Sequence, residues 1–460
     1  MRATLVGHAC WLFETAGGRV LTDPVLADPF EEGTVTACPS RQVAMDALPP
    51  LDALYISHRH LDHFDIDTLK RLDHELPVYC PEDAVLIAAL RHIGFTDCRI
   101  LEAFNVQTLG GLRICPLPAV TDDFVECGAV FQDDSGTVLN QVDTPLKQEV
   151  ISRLRTEFGQ LDVHIAMFAS QDFNVFHNKP NSISRAHTRN LDAAITLGAK
   201  VVVPGSAGFR FVDELGWLNQ YVFPIERQRF ADDLRRLQPE TTVETINPGD
   251  VMEIEGGEVT VHRQASPFVH MTADDTDRLR YDPTSPVPEL ADRNAPEYPL
   301  DALHSYIEQL MESSFVQYLD TMLNADGPVT EYLECNAVYR VEVVFPDHIR
   351  SWSFAFDAAQ RSYDTVVDQA KPQPTKLWRV TASGLVDLCE GRRGCFGLRT
   401  ESRRWESSMV PRLEAGRVGA EELELVDLLR HFIINMRIQT EGREKALLAY
   451  YGLITGSRGR

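Results

Sequence analysis

Short apolar runs alternate with segments of helical period along residues 1–263. Arg2–Val6, Ala9–Glu14 and Arg19–Thr22 read as strands, the last two joined by a hairpin turn at Ala16-Gly17-Gly18. Ala53–Ser57 reads as a buried strand, and Asp65 caps a helical segment, Ile66 to Leu72. Glu82–Ile93 has the pattern of an amphipathic helix closed by Gly94. Leu112–Leu117, Gly128–Gln132 and Thr137–Gln141 are expected strands, with Asp133-Asp134-Ser135-Gly136 as the turn between the last two. Helices are expected at Gln148–Phe158, Ser184–Leu197 and Pro224–Leu237, and buried strands at Val163–Phe168 and Lys200–Val203. Val251–Val261 is a further strand region.

The pattern breaks over 264–300, where two proline-rich polar stretches predict a linker or a strapping loop. Beyond it, Leu300–Leu323, Ser383–Cys389 and Glu421–Tyr451 read as helical. Ala337–Phe345, Ser351–Phe356 and Lys376–Thr381 read as strands of an antiparallel sheet. The expected organisation is therefore an α/β (α+β) chain with one domain at 1–263 and a smaller α/β domain at 301–460.

Composition narrows the function. With 44 basic and 68 acidic residues the formal charge is −24, which disfavours nucleic acid and anionic membrane as partners. There is no apolar run long enough to span a bilayer. The first residues run into a strand rather than a secretion signal, and the nine scattered cysteines include no Cys-x-x-Cys pair. Both point to reduced thiols and a cytoplasmic setting.

The chemistry concentrates in Ser57-His58-Arg59-His60-Leu61-Asp62-His63, at the end of the strand Ala53–Ser57. His58 and His60, two residues apart, share one side of an extended chain, while Asp62 and His63 follow the bend and can serve a second centre. Imidazole with carboxylate is the ligand set of zinc, iron and manganese. Asp23, before Pro24, is either a turn-former or the carboxylate that fixes a ligand histidine's tautomer. His8 and Asp143 carry open readings too: His8 a satisfied core histidine or a site residue, Asp143 a helix N-cap or a ligand.

The His-x-His-x-Asp-His cluster resembles the signature of the metallo-β-lactamase superfamily. Gly7-His8-Ala9, Thr22-Asp23-Pro24 and then the cluster follow the order of its lactonase-like branch. The resemblance implies an αββα sandwich and a metal-dependent enzyme. It sets Asp23 against a ligand histidine and His8 near the site mouth. It matches Asp143, in Asn140-Gln141-Val142-Asp143, to an aspartate that bridges two metals. Two histidines of the hydrolytic pattern are absent. Val120–Glu126 stands where one is expected, so Asp122, Asp123 or Glu126 is expected to replace it. Gly205-Ser206-Ala207-Gly208-Phe209 stands where the other is expected, and His177 is the first candidate to replace it, with His164 and His187 behind.

Residues 138–143 and 202–209 also resemble the metallo-β-lactamase-like part of CMP-N-acetylneuraminate hydroxylases. Those proteins carry a Rieske domain with Cys-x-His pairs. No such pair occurs in this sequence, so the sialic-acid substrate is not implied and an electron donor is expected to be external. The stretch Trp378–Leu388 followed by Glu390-Gly391-Arg392 resembles a sterol-carrier-protein-type α/β fold, which suggests a module for homodimer formation or for covering substrate.

The resulting expectation is a non-haem iron oxygenase, with one or two ions held by His58, His60, Asp62, His63, Asp143, a carboxylate among Asp122, Asp123 and Glu126, and His177. Asp62 and His8 are the expected catalytic residues, and a small organic molecule the substrate. The alternative is a mononuclear or dinuclear zinc or manganese hydrolase of an ester, lactone or phosphoester.

Overall fold

The computed structural model describes residues 1–118, 125–168, 182–325, 327–370, 372–406, 409–414, 417–422 and 425–454. The chain divides between Pro286 and Val287 into two compact units.

The first unit is a sandwich of two mixed sheets. One holds eight strands in the order 258–262, 251–255, 2–7, 10–15, 18–22, 53–55, 78–81 and 98–101. The other holds seven, in the order 242–243, 201–205, 163–167, 136–140, 129–133, 112–116 and 107–109. Alternating side chains of both sheets meet in one core, with Trp11, Phe13, Val20 and Tyr55 on one side and Ile114, Phe131, Val138 and Val163 on the other. Phe13 and Phe131 stack across it with centroids 4.3 Å apart. Helices Gln148–Phe158, Ser182–Leu197 and Arg227–Leu237 cover the outer face of the seven-stranded sheet through Leu154, Leu197 and Phe230, among others. The helix Ala84–Ile93, capped by Asp83 and closed by Gly94, connects the parallel strands Val78–Pro81 and Cys98–Leu101.

The connections place the functional residues. Strands Arg2–Gly7 and Gly18–Thr22 are both antiparallel to Cys10–Thr15, and Ala53–Tyr55 is parallel to Gly18–Thr22. Gly136–Asn140, Val163–Met167 and Val201–Gly205 are parallel to one another. Within each sheet the carboxyl ends of these strands therefore share an edge, and His8, Asp23, His58, Asp143 and Ser206 all follow such an end.

Several expectations change. Val78–Pro81, Cys98–Leu101 and Phe209–Phe211 are strands not anticipated from the pattern, because runs of three or four residues carry too little periodicity. Val251–Val261 is a hairpin rather than one strand. Within 264–300, Val269–Ala273 pairs with Ser40–Val43 and Asp275 holds Arg210 and Ser40, so residues 269–275 strap the first unit, while 287–300 belong to the second.

In the second unit a five-stranded sheet runs in the order 362–367, 349–357, 338–344, 376–381 and 403–406. It is not wholly antiparallel, since Val338–Val344 and Lys376–Thr381 pair in parallel. Helices Leu300–Gln309, Phe315–Leu323, Val329–Glu334, Ala382–Cys389 and Leu428–Glu441 pack on it around Phe315, Tyr339, Phe354 and Phe432. The helix expected over Glu421–Tyr451 begins at Leu428, and Arg417–Glu422 is a strand paired with Met409–Glu414. Among the described residues no helix is long and apolar enough to cross a membrane.

Candidate metal centre

The metal turn is ordered from behind by one buried carboxylate. Asp23 accepts hydrogen bonds from the Ser57 amide through Oδ1 (2.7 Å), and from Ser57 Oγ (2.8 Å) and His63 Nδ1 (2.9 Å) through Oδ2. With its own proton given to Asp23, Ser57 Oγ accepts from His58 Nδ1 at 2.9 Å. Both imidazoles are thus held as Nδ1–H tautomers, with Nε2 turned toward the site. His58 Nε2 lies 2.9 Å from His60 Nδ1, so two ring nitrogens face one point. Arg59, between them, is buried and paired with Asp83, the cap of the following helix.

His63 Nε2 is the junction. It lies 3.2 Å from Asp143 Oδ2, 3.6 Å from Asp62 Oδ2 and 3.3 Å from His8 Nε2. Ligand atoms of His58, His63 and Asp143 fall within 4.8 Å of one another, and so do those of His8, Asp62 and His63. The two groups share His63, whose Nδ1 is held by Asp23, so its Nε2 can serve one cation position.

His8 sits in this cluster with a role set by its other nitrogen. The Gly208 amide donates to His8 Nδ1 at 3.1 Å. The neutral ring then carries its proton on Nε2, which faces Asp62 Oδ2 at 3.2 Å. A ring protonated at Nε2 donates a hydrogen bond there and cannot ligate a metal through that atom. His8 is held in the left-handed region at φ 51° and packed edge-on to Phe209.

Asp143 reaches the centre through a strained turn. Val142 is a β-branched residue at φ 54°, uncommon without external support. The support comes from Gln141, whose Nε2 donates to the Thr144 carbonyl (2.9 Å) while its Oε1 accepts from His164 Nε2 (2.8 Å). Helix Gln148–Phe158 is capped at Lys147, so Asp143 is not its N-cap. His164 is thereby placed behind the turn rather than among the ligands, and His187 binds Asp233 between two outer helices.

Glu126 arrives on a segment pinned to the metal turn. The Cys127 amide donates to the Ser57 carbonyl (3.1 Å), and the Tyr55 hydroxyl donates to the Cys127 carbonyl. A Cβ on Gly128 would stand 2.7 Å from the Gln141 carbonyl oxygen, so only glycine lets this segment pass. Glu126 is buried, and burial together with the Asp143 charge pushes its carboxyl up to about 8. Asp122, Asp123 and His177 lie outside the described residues. Glu31, not among the candidates read from the sequence, lies near the cluster. Burial and the Asp62 and Glu32 charges hold it well above the ordinary carboxylate range.

The remaining electrostatics show what the cluster lacks. Burial and the neighbouring imidazoles His63 and His60 hold His58 well below the usual histidine range, and burial takes His60 down to about 4. His63 is raised despite its burial, because Asp62, Asp143 and Asp23 surround it. Half-buried Asp62 and Asp143, held despite desolvation below the ordinary carboxylate range chiefly by His63, thus stand with buried Asp23 and Glu126 around one imidazole as the main positive counter-charge. A divalent cation among these oxygen and nitrogen donors adds to that counter-charge, so the residues fit a metal.

A cavity of about 420 Å³ lies beside His8 and Gly205–Gly208. Trp11, Phe168 and Phe223 give it apolar walls, and Arg227 a cationic one.

Residues 2–141 match the beta-lactamase superfamily domain. A Mycolicibacterium smegmatis protein named as a Rieske 2Fe-2S iron–sulfur protein is 30% identical over 263 residues, covering 51% of this chain and 50% of that protein. A 4-amino-L-phenylalanyl-(CmlP-peptidyl-carrier-protein) 3-hydroxylase of Streptomyces venezuelae is 33% identical over 222 residues, covering 43% of this chain and 40% of the hydroxylase. The solved isothiocyanate hydrolase from Delia radicum gut bacteria is 18% identical with a TM-score of 0.42, covering 55% of this chain and 100% of that one. The chain spans about half the length of the curated relatives it matches first.

Proposed function

We propose that the first unit, whose residues 2–141 match the beta-lactamase superfamily domain, is a non-haem iron oxygenase that hydroxylates a small organic substrate, on the strength of the carboxylate Glu126 beside Asp143 and His63. Glu126 stands in the segment where hydrolytic members are expected to carry a histidine. Burial against another carboxylate keeps it protonated near neutral pH, and a bound cation would favour its ionised, ligating form. Replacing imidazole by carboxylate favours a harder, redox-active metal over zinc.

His58, His60, Glu126 and Asp143 would hold one iron, and Asp62, His63 and Asp143 a second. Bound iron supplies the one-electron chemistry that dioxygen requires and zinc cannot provide. The chain's own residues do the rest. Asp23 keeps His58 and His63 in the ligating tautomer. His8 holds a proton at Nε2 beside Asp62, in reach of a group that needs one. The cavity next to His8 has the size and apolar lining of a small-molecule site. Electrons come from an external donor. The hydroxylase relative is consistent with this reading, while its own substrate remains a property of that protein.

The same donors filled by zinc or manganese would suit hydrolysis of an ester, lactone or phosphoester, and one experiment separates the two. The metal-free protein is reconstituted with iron or with zinc, and dioxygen uptake is followed with candidate substrates and a chemical reductant. Substrate-dependent uptake by the iron form is expected. Hydrolysis supported by zinc, with no oxygen consumed by the iron form, overturns the proposal.

A further inference from the structure

A second convergence of imidazoles and carboxylate lies in the second unit, independent of the centre above. His304 is on the helix Leu300–Gln309, and Asp347 and His348 are on the turn between strands Val338–Val344 and Ile349–Asp357. Asp347 Oδ1 is 3.3 Å from His304 Nε2 and 2.9 Å from His348 Nδ1, and one ligand atom of each residue lies within 4.8 Å of the others. The buried ring of Phe345 meets both imidazoles, edge-on to His304 at 4.6 Å and stacked on His348 at 5.0 Å. It fixes the planes of both rings. Nearby Glu308, Glu312 and Asp368 are drawn to Arg350, which leaves Asp347 as the carboxylate facing the imidazoles.

We propose that His304, Asp347 and His348 bind a divalent transition cation of the zinc class, bracing the helix Leu300–Gln309 against the turn. The separations carry the inference. Metal–nitrogen and metal–oxygen bonds of about 2.0–2.2 Å put neighbouring donors about 3.0–3.5 Å apart in octahedral or tetrahedral coordination. The two measured donor separations agree with that edge length, so a cation fits with little side-chain movement. Two imidazoles with one carboxylate suit borderline cations such as zinc and nickel better than calcium or magnesium, which take oxygen donors. All three side chains are partly exposed, so the remaining coordination positions fall to water and the site exchanges with solvent.

The test uses the full chain with its first centre already filled with metal. Zn²⁺ is titrated by calorimetry, and bound metal is counted after gel filtration. One further zinc per chain is expected, absent in the His304→Ala/His348→Ala variant while the metal of the first centre stays. The His58→Ala/His60→Ala variant should keep this zinc, so failure of the oxygenase reading and failure of this one are distinguishable. Circular dichroism checks folding, and His348→Asn, at an exposed turn, serves if the double variant does not fold. Equal zinc uptake by wild type and the His304/His348 variants, or no zinc beyond the first centre in wild type, overturns the proposal.

Discussion

At one edge of the first unit, carboxylates and buried imidazoles face one another: half-buried Asp62 and Asp143 and buried Glu126 surround His63, and Glu126 and Glu31 are pushed toward the neutral form. The second unit also buries a charge, Arg340, inside its sheet, but there every contact is a resolution. Its Nε donates to Ser353 Oγ (2.7 Å), and one terminal nitrogen donates to the carbonyls of Ala370 (3.0 Å) and Pro372 (2.6 Å). The difference separates a structural buried charge from a functional one. A structural charge is met by hydrogen bonds and by a charge of opposite sign, here Glu342 at 4.0 Å, whereas carboxylates gathered at a strand edge around one imidazole mark a place built for something the chain itself does not supply.

The sharpest break of that contrast is to remove the first unit's ligands. His58→Ala/His60→Ala is expected to abolish metal binding at the first unit's centre and to lower activity at least about 100-fold, the upper end of effects seen for residues that only support ligands. Both side chains follow a strand end, so far-ultraviolet circular dichroism should be unchanged. Full metal occupancy in this variant would sink the assignment. The converse change lies in the second unit. Phe354 is fully buried among Phe315 and its neighbours, and Phe354→Ala should cost about 3–5 kcal/mol in denaturant unfolding of that unit. Metal content of the folded protein should not change. A loss of metal in proportion to the loss of stability would show that the two units do not divide the work as argued.

The same contrast explains what the sequence made legible. His58, His60, Asp62 and His63 were readable because one turn carries them all, and the αββα sandwich followed from the ligand order at strand ends. Glu126 was one of three acidic neighbours, of which Asp122 and Asp123 lie outside the described residues; bonds of Cys127 to the Ser57 carbonyl and the Tyr55 hydroxyl bring Glu126 beside the turn. Glu31 was invisible, since a loop far from the cluster in sequence brings it there by tertiary contact alone. His8 was legible as a site residue, but its protonation is set by the Gly208 amide, 200 residues away. In the second unit the aromatic pattern announced a core. It did not announce strand direction, and the parallel pairing of Val338–Val344 with Lys376–Thr381 depends on the connection between them. His304 and His348 are 44 residues apart, too far for spacing to suggest that they meet.

A smaller effect is expected from the carboxylate behind the metal turn. Asp23→Asn keeps the size of the side chain but removes the charge that orients His63 Nδ1 and, through Ser57, His58 Nδ1. Metal affinity should fall about 10- to 100-fold, measured by competition with a chelator. An unchanged affinity would mean that the ligand tautomers are fixed by something other than Asp23.

The mildest test concerns His164, a buried group that supports the centre without facing it. Burial pushes its pKa down to about 3, against about 6.5 in an unfolded chain. Between those values the unfolded state binds a proton that the folded state refuses. Stability therefore rises with pH in this window. The contribution is intact above about pH 6.5 and is lost as pH falls toward about 3, by about 1.4 kcal/mol per pH unit once the unfolded histidine is fully protonated. His164→Gln removes the titrating group and keeps a side-chain amide to meet Gln141 Oε1. The variant's absolute stability is expected to be lower, so the informative quantity is the slope of unfolding free energy against pH from 6.5 to 4.5. It should flatten relative to wild type by about the contribution of one histidine. Parallel slopes would show that His164 takes up its proton in the folded state. The added proton would then fall on Nδ1 and leave the Nε2–H bond to Gln141, and with it the Val142 turn, in place.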